Sequence, residues 1–569
     1  MTGRHDTVRK IAALTLVTAL LTLVPVPRAD ASVITLGGMS LEEKVGQLFV
    51  TFVNGQAADV AHPRNRTDFG VDTPAEMVRK YHPGGVIYFN NSSRDNIDTP
   101  KQIARFSNGL QKASSIPLLI STDQEMGLVT RIGPPFSQLP GNMALGAGRS
   151  VKDAEEAARI AAAELRAMGI NQNFAPDADV NSNPANPIIG VRSFSSDPKL
   201  AADMTKAQVE GYEQRWFSPT SVTATAKHFP GHGDTSEDSH TSLPVSNRTL
   251  DQWREIDAPP FKAAIAAKVD SIMTAHIQVP QIDPSGNPAT LSPRVITGLL
   301  REELGYDGVI VTDSLEMAGV RKLHSDAEIP VLAIKAGVDQ LLMPPNLGLA
   351  VNSVIAAVRS GEISEQRINE SVLRILKMKL LRGVMLNTQA DENKVDQVVG
   401  SNAAKAQLIA DRTITAVRND GQAIPLKATA PLVVGTSDAP TTALATRLKA
   451  TKVVTATSPT PAQTQQALTA AASADKIVVL TNNLSTRPAQ LDLLAKLVAT
   501  GKPVIAVATG NPYDVAHSDA KTWLATYSTT TVSMEAVAKV LLGETTPRGK
   551  LPVAVPGPTP YPFGHGVTW

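Results

Sequence analysis

The chain has 569 residues, 42% hydrophobic and 19% charged, a globular composition too long for one ordinary domain. Lysine and arginine total 54 against 53 acidic residues, a net charge of +1, so no global field exists to hold nucleic acid or an anionic membrane surface, and neutral small molecules or polymers are the better partners. The absence of cysteine excludes disulfides, thiolate metal sites and lipidated cysteines.

In chain order, the first residues combine a basic start at Arg9 and Lys10, an apolar run from Ile11 to about Val26, and the small-x-small triplet Ala29-Asp30-Ala31. This pattern predicts a secretory signal, residues 1–31, cleaved after Ala31, and a soluble exported protein; an uncleaved anchor is the alternative. The run is short for a membrane span, and no other segment is long and apolar enough to make one.

Eight short apolar runs follow, separated by alanine-rich stretches of helical period: Val45–Val53, Gly84–Asn90, Pro117–Glu125, Asn171–Val180, Thr223–Gly231, Ser271–Val279, Val309–Met317 and Gln340–Pro345. Between them Asp153–Gly169 reads as a helix with an aspartate near its start and a glycine at its end. The rhythm predicts an α/β chain whose residues 32–385 form a (β/α)8 TIM-like barrel. Polar residues 386–405 read as a connector that can end in a helix. Residues 406–569 read as a smaller three-layer α/β sandwich domain with strands starting at Pro431, Lys452, Lys476, Pro503 and Thr522. That second domain has no phosphate-binding glycine pattern and no G-x-S-x-G, which leaves nucleotide and serine-esterase readings without their motifs.

The barrel runs end in chemistry: Asp123 and Glu125, Asp177 and Asp179, Lys227 and His228, His276, and Asp313. A barrel collects the carboxyl ends of its strands at one mouth, so these side chains are expected to converge. Within Lys227–His240, a metal reading is weak, because Pro230, Gly231 and Gly233 break the helix that two histidines four apart would need. Asp238 and His240 fit proton transfer better: a carboxylate two residues away can orient the imidazole and favour its charged form. Asp313, after four apolar or β-branched residues, can act as a nucleophile toward an anomeric carbon or as the cap of the next helix.

These motifs carry a resemblance. KHFPGHGDTSEDSHTSLP (Lys227–Pro244), DQEMGLVTR (Asp123–Arg131), IIGVRSF (Ile188–Phe194), SIMTAHI (Ser271–Ile277) and VTDSLEM (Val311–Met317) make the chain similar to the secreted two-domain β-N-acetylglucosaminidases of glycoside hydrolase family 3, from about Ser40 to Trp569. The resemblance implies an exo-acting retaining hydrolase of N-acetylglucosamine-containing oligosaccharides or muropeptides. In it Asp313 is the nucleophile, His240 the acid/base and Asp238 its orienting partner. Asp123, Arg131, Arg192, Lys227 and His228 hold the terminal sugar, and no metal or organic cofactor takes part. His276 lies near the mouth behind these groups, and His232 with Asp234 supports the loop. A broader β-glucosidase or β-xylosidase activity, a phosphorylase using phosphate in place of water, a metal-dependent hydrolase and a non-catalytic binding protein are the alternatives. One departure stands out: Met126 occupies the position after D-x-E where the family usually has the first of two glycines. A positive φ there would strain or re-aim the turn that helps hold the sugar's far hydroxyls.

Overall fold

Each of the eight runs forms a strand in the computed structural model, which describes residues 36–427 and 429–569. The expected signal, residues 1–31, lies outside the described residues. The strands are β1 Phe49–Phe52, β2 Gly85–Ile87, β3 Leu119–Thr122, β4 Gln172–Asn173, β5 Thr223–Phe229, β6 Ser271–Thr274, β7 Val309–Thr312 and β8 Leu341–Leu342. All are parallel and paired in the order β7-β6-β5-β4-β3-β2-β1-β8. A parallel bridge between Val311 and Gln340 joins the two ends, and Asp339 and Gln340 both donate to the Ile310 carbonyl at 2.8 and 2.9 Å. The sheet is therefore a closed barrel.

Every residue of these strands is buried, as expected where helices cover the outside and side chains fill the inside. The helix anticipated at Asp153–Gly169 runs Val151–Ala167. Ser150 caps it by accepting from the Asp153 N–H, so the aspartate sits in the first turn rather than at the cap, and Gly169 leaves the end at φ +80°. At the end of the barrel away from the polar strand ends, Lys379 is fully buried and donates to Gln47 Oε1 at 2.8 Å. Burial pushes its ammonium down to about 7.

The second sheet contains one strand more than the sequence suggests. β9 Thr415–Asn419 precedes β10 Pro431–Gly435, β11 Thr451–Val454, β12 Lys476–Thr481, β13 Val504–Ala508 and β14 Thr522–Ala525. The order is β11-β10-β12-β13-β14-β9, and only β9 runs antiparallel to its neighbour. Residues 386–405 carry helical structure, as their sequence allows. They include the helix Val395–Val398 and the start of another at Ala403, and Ala390 and Asn108 exchange hydrogen bonds of 2.7 and 3.0 Å that fix the segment to the barrel.

The two domains meet behind the loop that follows β4. Ser195 Oγ donates to the Pro552 carbonyl at 2.6 Å, Asn181 Nδ2 donates to Tyr513 Oη at 3.0 Å, and Arg412 grips both oxygens of Asp153 at 2.7 Å.

Candidate active site

At the carboxyl ends of the strands lies a cavity of about 540 Å³, lined by barrel residues up to Met343. Of the residues singled out by sequence, Asp123, Arg131, Arg192, Lys227, His228, His240 and Asp313 all line it. Its base is an ionic lattice. Lys227, near the carboxyl end of β5, puts Nζ 3.0 Å from Asp123 Oδ1 and 2.6 Å from Glu125 Oε1. Arg192 meets the same Glu125 with Nε and Nη2, both at 2.8 Å, while Arg131 Nη2 stands 3.6 Å from Asp123 Oδ2. Burial alone would raise the Glu125 carboxyl, yet the Arg192 and Lys227 charges hold it far below the usual carboxylate range. Glu125 thus stays ionised and fixes two cations that line the cavity, an arrangement suited to gripping hydroxyls with charge-assisted hydrogen bonds.

His228 gives Nδ1–H to Asp179 Oδ2 at 2.7 Å, and Arg192 Nη2 lies 3.3 Å from its Nε2. Asp179 also accepts from the His232 backbone N–H at 2.5 Å; the two histidines outweigh burial and keep its carboxyl low. Asp177 behaves oppositely: burial, then the Asp179 charge, raises it well above the ordinary value. Asp177, Asp179 and His228 are close enough to ligate an ion. The Arg192 guanidinium stands 3.7 Å from Asp177 Oδ2, and the Asp179–His228 hydrogen bond uses the Nδ1 of the ring, so an ion here would compete with a fixed cation and a formed hydrogen bond. The other two histidines of the loop also have separate partners.

Asp313 lies just beyond β7, half-buried at the cavity wall, with one oxygen accepting from the Ser314 N–H at 2.7 Å. Burial would raise its carboxyl, but His228, His276, Lys227 and that N–H together bring it below the ordinary value, so it is a carboxylate at neutral pH. His276 does not reach the cavity. Its Nε2 lies 3.0 Å from the Ser314 carbonyl and its Nδ1 2.8 Å from Thr290 Oγ1, which holds the turn carrying Asp313.

The loop after β5 carries Asp238 and His240 and brings His240 to the cavity. His240 Nδ1 lies 2.7 Å from Asp238 Oδ1, which also accepts from the His240 backbone N–H at 2.9 Å. Burial opposes ionisation of Asp238, but these two His240 bonds draw its carboxyl below the ordinary value. The pairing leaves Nε2 as the nitrogen free to meet a ligand. His232 is buried and held down to about 4 by desolvation; its ring is bonded to Thr235 Oγ1 at 2.8 Å and Ser239 Oγ at 2.9 Å. It therefore ties the loop together one residue before His240. Gly233 packs against the Val180 carbonyl so closely that a Cβ has no room, making this a fixed tight turn. The far side of the loop is docked by two backbone bonds, Gly319 N–H to the Ser239 carbonyl at 3.1 Å and Ala318 N–H to the His240 carbonyl at 3.3 Å.

Met126 does adopt a positive φ, +75°, and Gly127 follows at +65°. Its side chain turns into the core while the Glu125 N–H bonds the Val129 carbonyl at 3.0 Å, closing a tight turn that leaves Leu128 70% exposed at the cavity rim. Asp123 keeps both its cationic neighbours despite this turn. Sequence reasoning noted Glu125 and Asp179 only as strand-end residues; their roles depend on partners far along the chain. Arg94, Glu316 and Gly319 carried no signal beyond their neighbourhood to known motifs.

Residues 40–378 match the model of the glycosyl hydrolase family 3 N terminal domain and residues 391–569 that of the family 3 C-terminal domain. A beta-hexosaminidase A of Pseudoalteromonas piscicida is 36% identical over 388 residues, 63% of this chain and 63% of its own length. A beta-N-acetylglucosaminidase/beta-glucosidase of Cellulomonas fimi is 29% identical over 403 residues, 69% of this chain and 67% of its own. Among solved structures, a glycoside hydrolase family 3 beta-N-acetylglucosaminidase from Paenibacillus sp. str. FPU-7 superposes with a TM-score of 0.80 at 36% identity, covering 91% of this chain and 99% of that one.

Proposed function

Because the chain belongs to glycosyl hydrolase family 3, we propose that it is an exo-acting, retaining β-N-acetylglucosaminidase that removes terminal N-acetylglucosamine from chitin-type oligosaccharides or peptidoglycan fragments. The observation that carries this reading is that an ionised carboxylate, Asp313, and a carboxylate-oriented imidazole, His240, open into the same cavity above a base of fixed cations and acids.

The terminal sugar sits in the base, its hydroxyls held by Asp123, Arg131, Arg192, Lys227 and His228. Asp313 attacks the anomeric carbon as the bond to the leaving oxygen breaks, and His240 gives that oxygen its proton, so the aglycone departs neutral and a glycosyl ester remains on Asp313. The now neutral His240 takes a proton from water, whose oxygen attacks the anomeric carbon and displaces the Asp313 carboxylate, restoring both groups. Asp238 stabilises the imidazolium and fixes its tautomer throughout. The names of the relatives and of the solved structure support the sugar; the pairing of Asp313 with His240 supports the chemistry.

The test is turnover of aryl glycosides. Asp313→Ala and His240→Ala are each expected to remove nearly all hydrolysis of an aryl N-acetylglucosaminide, and near-normal turnover in either refutes the assignment. A panel including glucoside and xyloside separates the broader glycosidase reading. A histidine acid/base leaves the site less anionic than a second carboxylate would, which favours a phosphorylase as the second reading; sugar 1-phosphate formed in phosphate buffer decides for it.

A further inference from the structure

The cavity rim carries an ion pair with no part in the steps above. Arg94, on the loop after β2, gives Nη1 and Nη2 to the two oxygens of Glu316 at 2.8 and 2.6 Å, and its guanidinium lies 3.6 Å from the centre of the Phe52 ring. Glu316 follows Asp313 by three residues, and its N–H bonds Ser314 Oγ at 3.3 Å. The fork-to-fork geometry and the stacked face hold the pair in one arrangement across the cavity wall.

The location is informative. A sugar gripped by the base must send its aglycone out past the rim. There the Glu316 side chain is 30% exposed, against 17% for Asp123 and 1% for Glu125. The cavity is lined by four carboxylates, Asp123, Glu125, Asp313 and Glu316, and by four arginines or lysines, Arg94, Arg131, Arg192 and Lys227. The last three cations are engaged by Asp123 and Glu125, and Arg94 by Glu316. Among the arginines and lysines an aglycone carboxylate therefore meets no spare positive charge, and the His240 imidazolium of the proposed first step is itself paired with Asp238. The carboxylate would have to lie beside Glu316 or displace it from Arg94.

We propose, on the basis of the glycosidase reading above, that the site prefers an uncharged aglycone, such as another N-acetylated amino sugar, over one bearing a carboxylate near the scissile bond, and that Glu316 sets this preference by cancelling Arg94. Removing the Glu316 charge frees Arg94 to attract the anion; removing the Arg94 charge leaves Glu316 to repel it more strongly.

The experiment compares kcat/KM for di-N-acetylchitobiose with that for N-acetylglucosaminyl-N-acetylmuramic acid, whose reducing sugar adds a lactyl carboxylate. A charge interaction at a partly exposed rim is of a size to change rates roughly tenfold. The wild type is expected to favour the neutral disaccharide by about that factor. Glu316→Gln should shrink the ratio and Arg94→Leu should enlarge it. The ratio is independent of the fraction of active protein, so a partly unfolded variant still gives a reading. A wild-type ratio near or below one, or a ratio unmoved by Glu316→Gln, overturns the proposal. Turnover of p-nitrophenyl N-acetylglucosaminide by the same wild-type preparation separates the two levels: if it is present, such a result overturns only the aglycone preference; if it is absent, the glycosidase reading falls as well.

Discussion

A methyl group added at Gly319 tests whether the docked loop is what aligns His240, the proton donor of the proposed mechanism. A Cβ built there falls 3.0 Å from each of three carbonyl oxygens, those of Ser239, Ser242 and His276, where ordinary contact begins at 3.4 Å. None of these atoms is the end of a flexible side chain. Two belong to the loop carrying Asp238 and His240, and the third follows β6. In Gly319→Ala the loop must retreat by a few tenths of an ångström or more, weakening the Gly319–Ser239 and Ala318–His240 backbone bonds. Each such bond contributes about 1 kcal/mol net, and overpacking of this kind costs about 1–3 kcal/mol. Two of the three crowded oxygens belong to the His240 loop and only that of His276 leads toward the Asp313 turn, where Asp313 keeps its bond from the Ser314 N–H. The loss should therefore fall on protonation of the leaving group, by roughly ten- to a hundredfold if the misplacement approaches 1 Å. The assay is kcat/KM, which reports the first chemical step, for aryl N-acetylglucosaminides of differing leaving-group acidity. A 2,4-dinitrophenyl leaving group departs without a proton and should be nearly unaffected, whereas a methoxyphenyl one should lose the full factor. Equal losses on both substrates, or no loss on either, would refute the argument that docking of the loop positions His240.

Lys379 gives a stability prediction with a definite sign. Its folded value of about 7 lies below the roughly 10.4 of an unfolded lysine, so between these limits the unfolded chain holds a proton that the folded chain lacks. Stability therefore rises as pH increases from 7 toward 10, and the penalty is fully present below 7. Lys379→Met, which removes the titrating group, should raise Tm more at pH 6 than at pH 9.5; a Tm difference identical at the two values removes the reasoning. Export is the other expectation open to measurement: N-terminal sequencing of secreted material should start at Ser32, and material that starts earlier would favour the anchor.

Much of the barrel was legible because a parallel strand covered on both faces is a dense apolar run, and the residue that ends the run marks the mouth. Asp313 after VIVT and Lys227 after TATA are readable in this way. β9 was not, since TAVRN is half polar, lies at a sheet edge and pairs antiparallel with a strand about a hundred residues later. The helix in the connector was allowed for, but its anchor was not legible, since the Ala390 backbone bonds Asn108, far back in the sequence. The base of the site was visible only as a set of ionisable residues. Which acid holds which cation follows from loops meeting in space, as with Glu125 and Arg192, 67 residues apart. Met126 showed the opposite case. A departure from a familiar motif raised the right conformational question, and the structure answers it with a left-handed methionine whose side chain packs into the core.

The even match of acids and bases around the cavity has a kinetic consequence. A cleft of one sign draws a charged substrate from a distance and loses that advantage as salt screens it. A cleft without surplus charge exerts no such pull, so encounter with a neutral saccharide depends on diffusion and orientation alone. The second-order rate constant for such a substrate should stay nearly flat from millimolar to half-molar salt.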